Sequence, residues 1–147
     1  MSSRHPDWEA RLHAYLAEVR GRGWDPVVHN CAMFALGGMR AVLQDADERF
    51  ATMGVEMPDS ALAAARVLKA HGGVRGLAHA FFGSESGPIL RAGRGDVVIA
   101  NGDGDLLVDE GLDDESLGIF DGSQALFVGT KGLQHFPLTS CTGCWKA

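Results

Sequence analysis

Three stretches of this sequence hold residues able to do chemistry. The first is His29-Asn30-Cys31-Ala32-Met33-Phe34, a cysteine just ahead of an apolar stretch with helical spacing and a histidine two residues before it. A thiol in the first turn of a helix feels the partial positive charge of that terminus, which favours the thiolate. A histidine delivered from elsewhere would complete the nucleophile–base pair of a cysteine hydrolase. The plainer role for Cys31 is packing, since free cysteine is among the most buried residue types. The second stretch is Cys141-Thr142-Gly143-Cys144, two thiols at metal-chelating spacing. His29 and Cys31 would add two more ligands for zinc or an iron–sulfur cluster, if the C-terminal segment folded back onto the Cys31 helix. His-x-Cys is poor spacing for a metal knuckle. No cofactor is therefore expected, and Cys141 and Cys144 are expected to flank a turn from which Trp145 packs onto the core. The third stretch gathers Asp103, Asp105, Asp109, Glu110, Asp113, Asp114 and Glu115. It lacks the spacing of a calcium loop and reads as a solvated acidic hairpin able to meet a basic patch on a neighbouring subunit.

These residues must be positioned by regular elements. Trp8, Leu12, Tyr15, Leu16 and Val19 share one helical face, with Asp7 as N-cap and Gly21 as stop. The spacing predicts a second helix over 31–43, capped by Asn30, with Cys31, Phe34, Ala35, Gly38 and Val42 on its buried face. Gly37 and Gly38 weaken that helix by about 1 kcal/mol each relative to alanine, so close packing against a sheet is expected to compensate. A third helix is announced by "PDSALAAARVLKAHGG", capped by Asp59 or Ser60 and ended by the glycine pair, and a short fourth by "VRGLAHAFF". Beyond "GSESGP" the pattern turns to short β-type runs: "DVVIAN", "DLLVDE", "SLGIF", "ALFVG" and "LQHFPL". "FDGSQ" reads as a tight hairpin, because Asp-Gly supplies the positive φ such a turn needs. The expected architecture is α+β, a single domain over 1–147. N-terminal helices pack on a C-terminal antiparallel sheet of about five short strands.

The 147 residues suffice for one real core, and 46% apolar with 22% charged residues is ordinary globular composition. A net charge of −6 with scattered Lys and Arg argues against a nucleic-acid partner. No apolar run approaches the ~20 residues of a membrane span. "MSSRHPDWEARLHAYL" lacks the apolar core of a secretory signal, so no signal-dependent export is expected.

The order of motifs resembles the NlpC-type papain-like cell-wall peptidases. In that family a nucleophilic cysteine opens a helix, an Arg/Pro-Gly-Asp-Val-Val strand follows, and a histidine opens the next strand. A third polar residue on the strand after that orients the histidine. The matching stretches here are Asn30-Cys31-Ala32-Met33-Phe34, Arg94-Gly95-Asp96-Val97-Val98 and Ser116-Leu117-Gly118-Ile119-Phe120. "HNCAMFA", "GRGDVV", "LGIF", "QALFVG", "KGLQHFPL" and "CTGCWK" are similar in order to a phage-encoded subfamily of unassigned function, over nearly the whole chain from Trp8 to Trp145. The resemblance implies a papain-like (NlpC-type) fold and a place in the virion tail of a long-tailed phage or gene transfer agent. It implies synthesis in the host cytoplasm, hub, distal tail and tip proteins as partners, and peptidoglycan as the contacted polymer.

The departures from that family fall on the chemistry. Ser116 stands where the strand-opening histidine belongs, and Val128 stands where the orienting residue belongs. A serine hydroxyl is no base near neutral pH, and valine cannot hydrogen-bond an imidazole. The expectation is a tail-tip (baseplate) component whose peptidase fold is catalytically degenerate. The alternatives are an active cysteine peptidase that opens the cell wall as DNA enters, with Cys31 as nucleophile and His29 or His135 as base, and a metal-stapled tail module. His71 reads as a helix C-terminal residue, and His5, His13 and His79 have no constellation around them.

Overall fold

The computed structural model describes residues 3–25, 29–52, 60–101 and 115–147. Five helices come first: α1 (Trp8–Val19), α2 (Cys31–Val42), α3 (Ala46–Thr52), α4 (Ala61–Ala70) and α5 (Val74–Phe82). Strands β1 (Val97–Asn101), β2 (Glu115–Phe120), β3 (Ala125–Gly129), β4 (Gly132–Phe136) and β5 (Gly143–Trp145) follow, with 3-10 turns at Ile89–Arg91 and Leu138–Ser140. The strands form one antiparallel sheet in the order β4-β3-β2-β1-β5. The protein is thus α+β, helices first. None of the described helices is long and apolar enough to cross a membrane.

The central strand β1 is buried on both faces, which is why it reads as an unbroken apolar run rather than an alternation. Val97, Ile99, Leu117, Ile119, Leu126 and Trp145 face the helices. Val98, Ala100, Phe120, Ala125, Phe127, Cys141 and Cys144 form a second cluster, closed by Ile89, Ala92 and Leu138 around the two 3-10 turns. Helix α2 lies against the sheet as expected, and its glycines show how closely. A Cβ at Gly38 would collide with Ile119 Cδ1, whereas one at Gly37 would strike the Tyr15 ring of α1. Gly38 therefore serves the sheet and Gly37 the neighbouring helix. The Tyr15 hydroxyl donates to the Phe34 carbonyl at 2.9 Å, fastening α1 to α2.

The caps follow the sequence closely. The Asn30 side chain accepts from Met33 N at 2.9 Å, and Ser60 caps α4 through Ala63 N at 3.1 Å. His71 ends α4, with Gly72 and Gly73 at φ +81° and +97° beyond it. Asp7 makes no cap bond and pairs with Arg11 instead. In the 121–124 hairpin Gly122 has φ +99°, while Asp121 Oδ1 accepts from Ser123 N and Gln124 N. One expectation is corrected: the segment read as a turn between Cys141 and Cys144 carries β5, paired to β1 with Val98 opposite Cys144. Trp145 is fully buried as expected, its indole N–H donating to the Gly83 carbonyl at 2.9 Å. Helix α3 was not foreseen. The expected "DLLVDE" strand and the acidic residues from Asp103 to Asp114 lie outside the described residues.

Candidate functional site

Cys31 is the first residue of α2, and its sulfur lies against β2, where the Leu117 backbone hydrogen-bonds it. The residue keeps some exposed surface, but its thiol is enclosed. Burial pushes the thiol pKa up; hydrogen bonds from the Leu117, Ala32 and Cys31 backbone lower it and do not offset the burial. The helix terminus thus does not yield an activated thiolate. Burial favours the thiol over the thiolate that a nucleophile needs.

His29 is almost wholly buried, at 4% exposure. Its backbone pairs with that of Asp25 in both directions, at 2.9 and 3.3 Å. Its ring meets Phe34 edge-on with centroids 6.2 Å apart. Nε2 is buried and has no hydrogen-bond partner among the described residues, so it does not engage the Cys31 thiol. Burial first, then Arg22, lower the imidazole pKa, while Asp25 raises it. The balance favours the neutral ring. His135, the other proposed base, is exposed on edge strand β4 and is held by Gln124 Oε1 at 3.1 Å. It rims a cleft of about 220 Å³ between α1 and the β3–β4 hairpin, with His13 opposite and Leu12, Leu16, Leu126 and Leu133 within; Cys31 does not line it.

Strand alternation places Leu117 and Ile119 on the helix side of β2 and Ser116 with Gly118 and Phe120 on the other. Ser116 therefore differs from the expected histidine in type and also lies across the sheet from α2. Val128 packs, half-buried, against the helix-side cluster opposite Leu133. Cys141 and Cys144 belong to the far-side cluster, away from Cys31 and His29. Burial raises both thiols, Cys141 to about 11, and Cys144 donates to the Ser86 carbonyl at 3.3 Å. Among the described residues no three His, Cys, Asp or Glu side chains are grouped to hold a metal ion.

The Arg94-Gly95-Asp96 turn is a structural clasp. Gly95 takes φ +91°, and the fully buried Asp96 carboxylate accepts from Gly93 N at 2.8 Å and Ala147 N at 2.9 Å and pairs with Lys146 Nζ at 2.9 Å. Arg94 reaches Glu9 of α1 and the Asp121 carbonyl. One further polar cluster escaped the sequence reading. Arg75 of α5 binds Glu85, Glu115 at the start of β2 and Thr142 before β5, and His79 stands 3.4 Å from Glu85. It ties α5 to the end of the sheet at the start of β2.

The chain belongs to the DUF6950 family, a domain of unknown function, whose model matches residues 3–147. No curated protein and no solved structure matches it.

Proposed function

We propose that this DUF6950 chain is a structural component of a phage or gene-transfer-agent tail tip (baseplate), on an NlpC-like peptidase scaffold without catalysis. The tail assignment rests on the order of motifs from Trp8 to Trp145. The observation that carries the loss of catalysis is the setting of Cys31: an enclosed thiol at the start of α2, with its pKa raised by burial and the Leu117 backbone hydrogen-bonded to it. Neighbouring tail proteins are then the partners. Purified protein is expected to release no fragments from peptidoglycan, and Cys31→Ala is expected to leave particle assembly intact. Muropeptide release by the wild type that is lost in Cys31→Ala would overturn this reading.

The competing reading, an active peptidase, has one observation in its favour: His29 sits two residues from Cys31 with its Nε2 unengaged. The pH profile of Cys31 alkylation separates the two. A buried structural thiol titrates above the ~8.5 of free cysteine, and an activated nucleophile well below it.

A further inference from the structure

We propose that His29 is an acid-sensitive latch on the start of α2: protonation of its buried ring opens the Asp25–His29 pairing and loosens the Asn30-capped first turn of the helix, which carries Cys31. The geometry begins with the backbone. His29 is bonded both ways to Asp25, and the next residue, Asn30, caps α2 through Met33 N at 2.9 Å. Any movement of His29 is therefore passed directly to the cap. The ring is wedged edge-on to Phe34, which is fully buried and itself stacked on Tyr15 with centroids 6.1 Å apart.

Within this packing Nε2 has no partner among the described residues. A buried polar atom left unsatisfied is costly, and an aliphatic side chain would fill the position without that cost. The neutral ring tolerates the site. The imidazolium would carry a second N–H donor with no acceptor among the described residues. Two charged groups act on the ring: Arg22, held by Glu18 at 3.3 Å, repels the charge, and Asp25 attracts it. Tyr15 behind Phe34 and the Cys31 thiol supply no anion, because burial keeps both protonated. Opening the pairing hydrates the imidazolium, so acid drives the opening. The latch does not depend on the tail-tip reading.

The test labels the full-length chain with 4,4′-dithiodipyridine and reads each cysteine by peptide mass spectrometry. Each rate is divided by that of the same chain in urea at the same pH, which cancels the intrinsic pH dependence of the thiol. In the wild type, Cys31 protection is expected to fall roughly tenfold between about pH 7.5 and about pH 5, while Cys141 and Cys144 stay protected. In His29→Leu and His29→Gln the Cys31 profile is expected to be flat. Equal pH dependence in wild type and variants overturns the latch. So does constant protection of Cys31, or loss of protection at all three cysteines in step. Should neither variant fold, the wild type alone decides, by whether Cys31 opens while the other two remain closed.

Discussion

Among the described residues two polar side chains are buried, Asp96 and His29, and they are treated in opposite ways. Asp96 sits in the Arg94-Gly95-Asp96 turn with donors on both carboxylate oxygens. His29 sits beside the helix-start cysteine with its Nε2 unengaged. Both positions belong to motifs that carry the peptidase resemblance. One is saturated and holds the C-terminal residues to the sheet. The other carries an unmet hydrogen-bonding group of the kind a stable scaffold rarely retains. The contrast separates a motif kept for architecture from one whose local chemistry the packing leaves unresolved.

The largest effect is expected at the saturated site. Asp96→Ala would leave the amides of Gly93 and Ala147 without their acceptor and Lys146 without its counter-ion. Hydrogen bonds to a buried charge are the strong ones, so a loss of about 3 kcal/mol in urea unfolding is expected. A loss near zero would mean that the clasp is incidental. Next comes the contact that seats α2 on the sheet. Gly38→Ala drives a methyl into Ile119, and overpacking a closed core costs about 2 kcal/mol. Gly37→Ala tests α1 instead, since its obstacle is the Tyr15 ring. If Gly38→Ala is neutral, α2 sits farther from β2 than described, and the Cys31–Leu117 contact is in question.

What was legible in the sequence follows the range of the forces involved. The Asn30 cap, the glycine stop after α4 and the Asp-Gly hairpin are local, and each was readable because the residue and its partner lie within a few positions. Helix α3 was not, for it buries only Ala46 and so lacks an apolar stripe. Strand β5 is three residues long, too short for any period, and its cysteine pair drew attention to metal chemistry instead of to pairing with β1. The polar network of Arg75 was invisible because its partners lie 10, 40 and 67 residues away. The role of Asp96 depends likewise on an amide 51 residues downstream. Cys31 was read correctly as a helix start. Whether the helix terminus or burial governs its thiol is a tertiary question, and burial wins.

The unsatisfied site has a smaller signature, and it depends on pH. A histidine whose folded pKa lies below its ordinary 6.5 binds its proton more readily when unfolded. Stability from this residue is therefore level above about pH 6.5, falls as the pH drops below it, and levels again once the folded ring titrates. The slope contributed is at most about 1.4 kcal/mol per pH unit. Subtracting the stability profile of His29→Leu from that of the wild type isolates it. A difference that does not change between about pH 7 and about pH 5 would show that His29 is solvated in the folded state.

The smallest effect sharpens the comparison most. Lys146 Nζ lies 2.9 Å from Asp96, yet its side chain is 49% exposed while that of Asp96 is fully buried. If the clasp were an ion pair, Lys146→Met would cost nearly as much as Asp96→Ala. If the carboxylate is anchored by the two backbone amides, water replaces the ammonium at the half-open rim. Half-exposed pairs are weakened by solvent screening, so a loss of about 0.5 kcal/mol is expected, and it should shrink further in high salt. A ratio of about six between the two variants in the same unfolding assay identifies the amides as the anchor. Near-equal losses would make Asp96 a charge that needs its partner, and the distinction from His29 would then be one of charge pairing rather than of hydrogen-bond saturation.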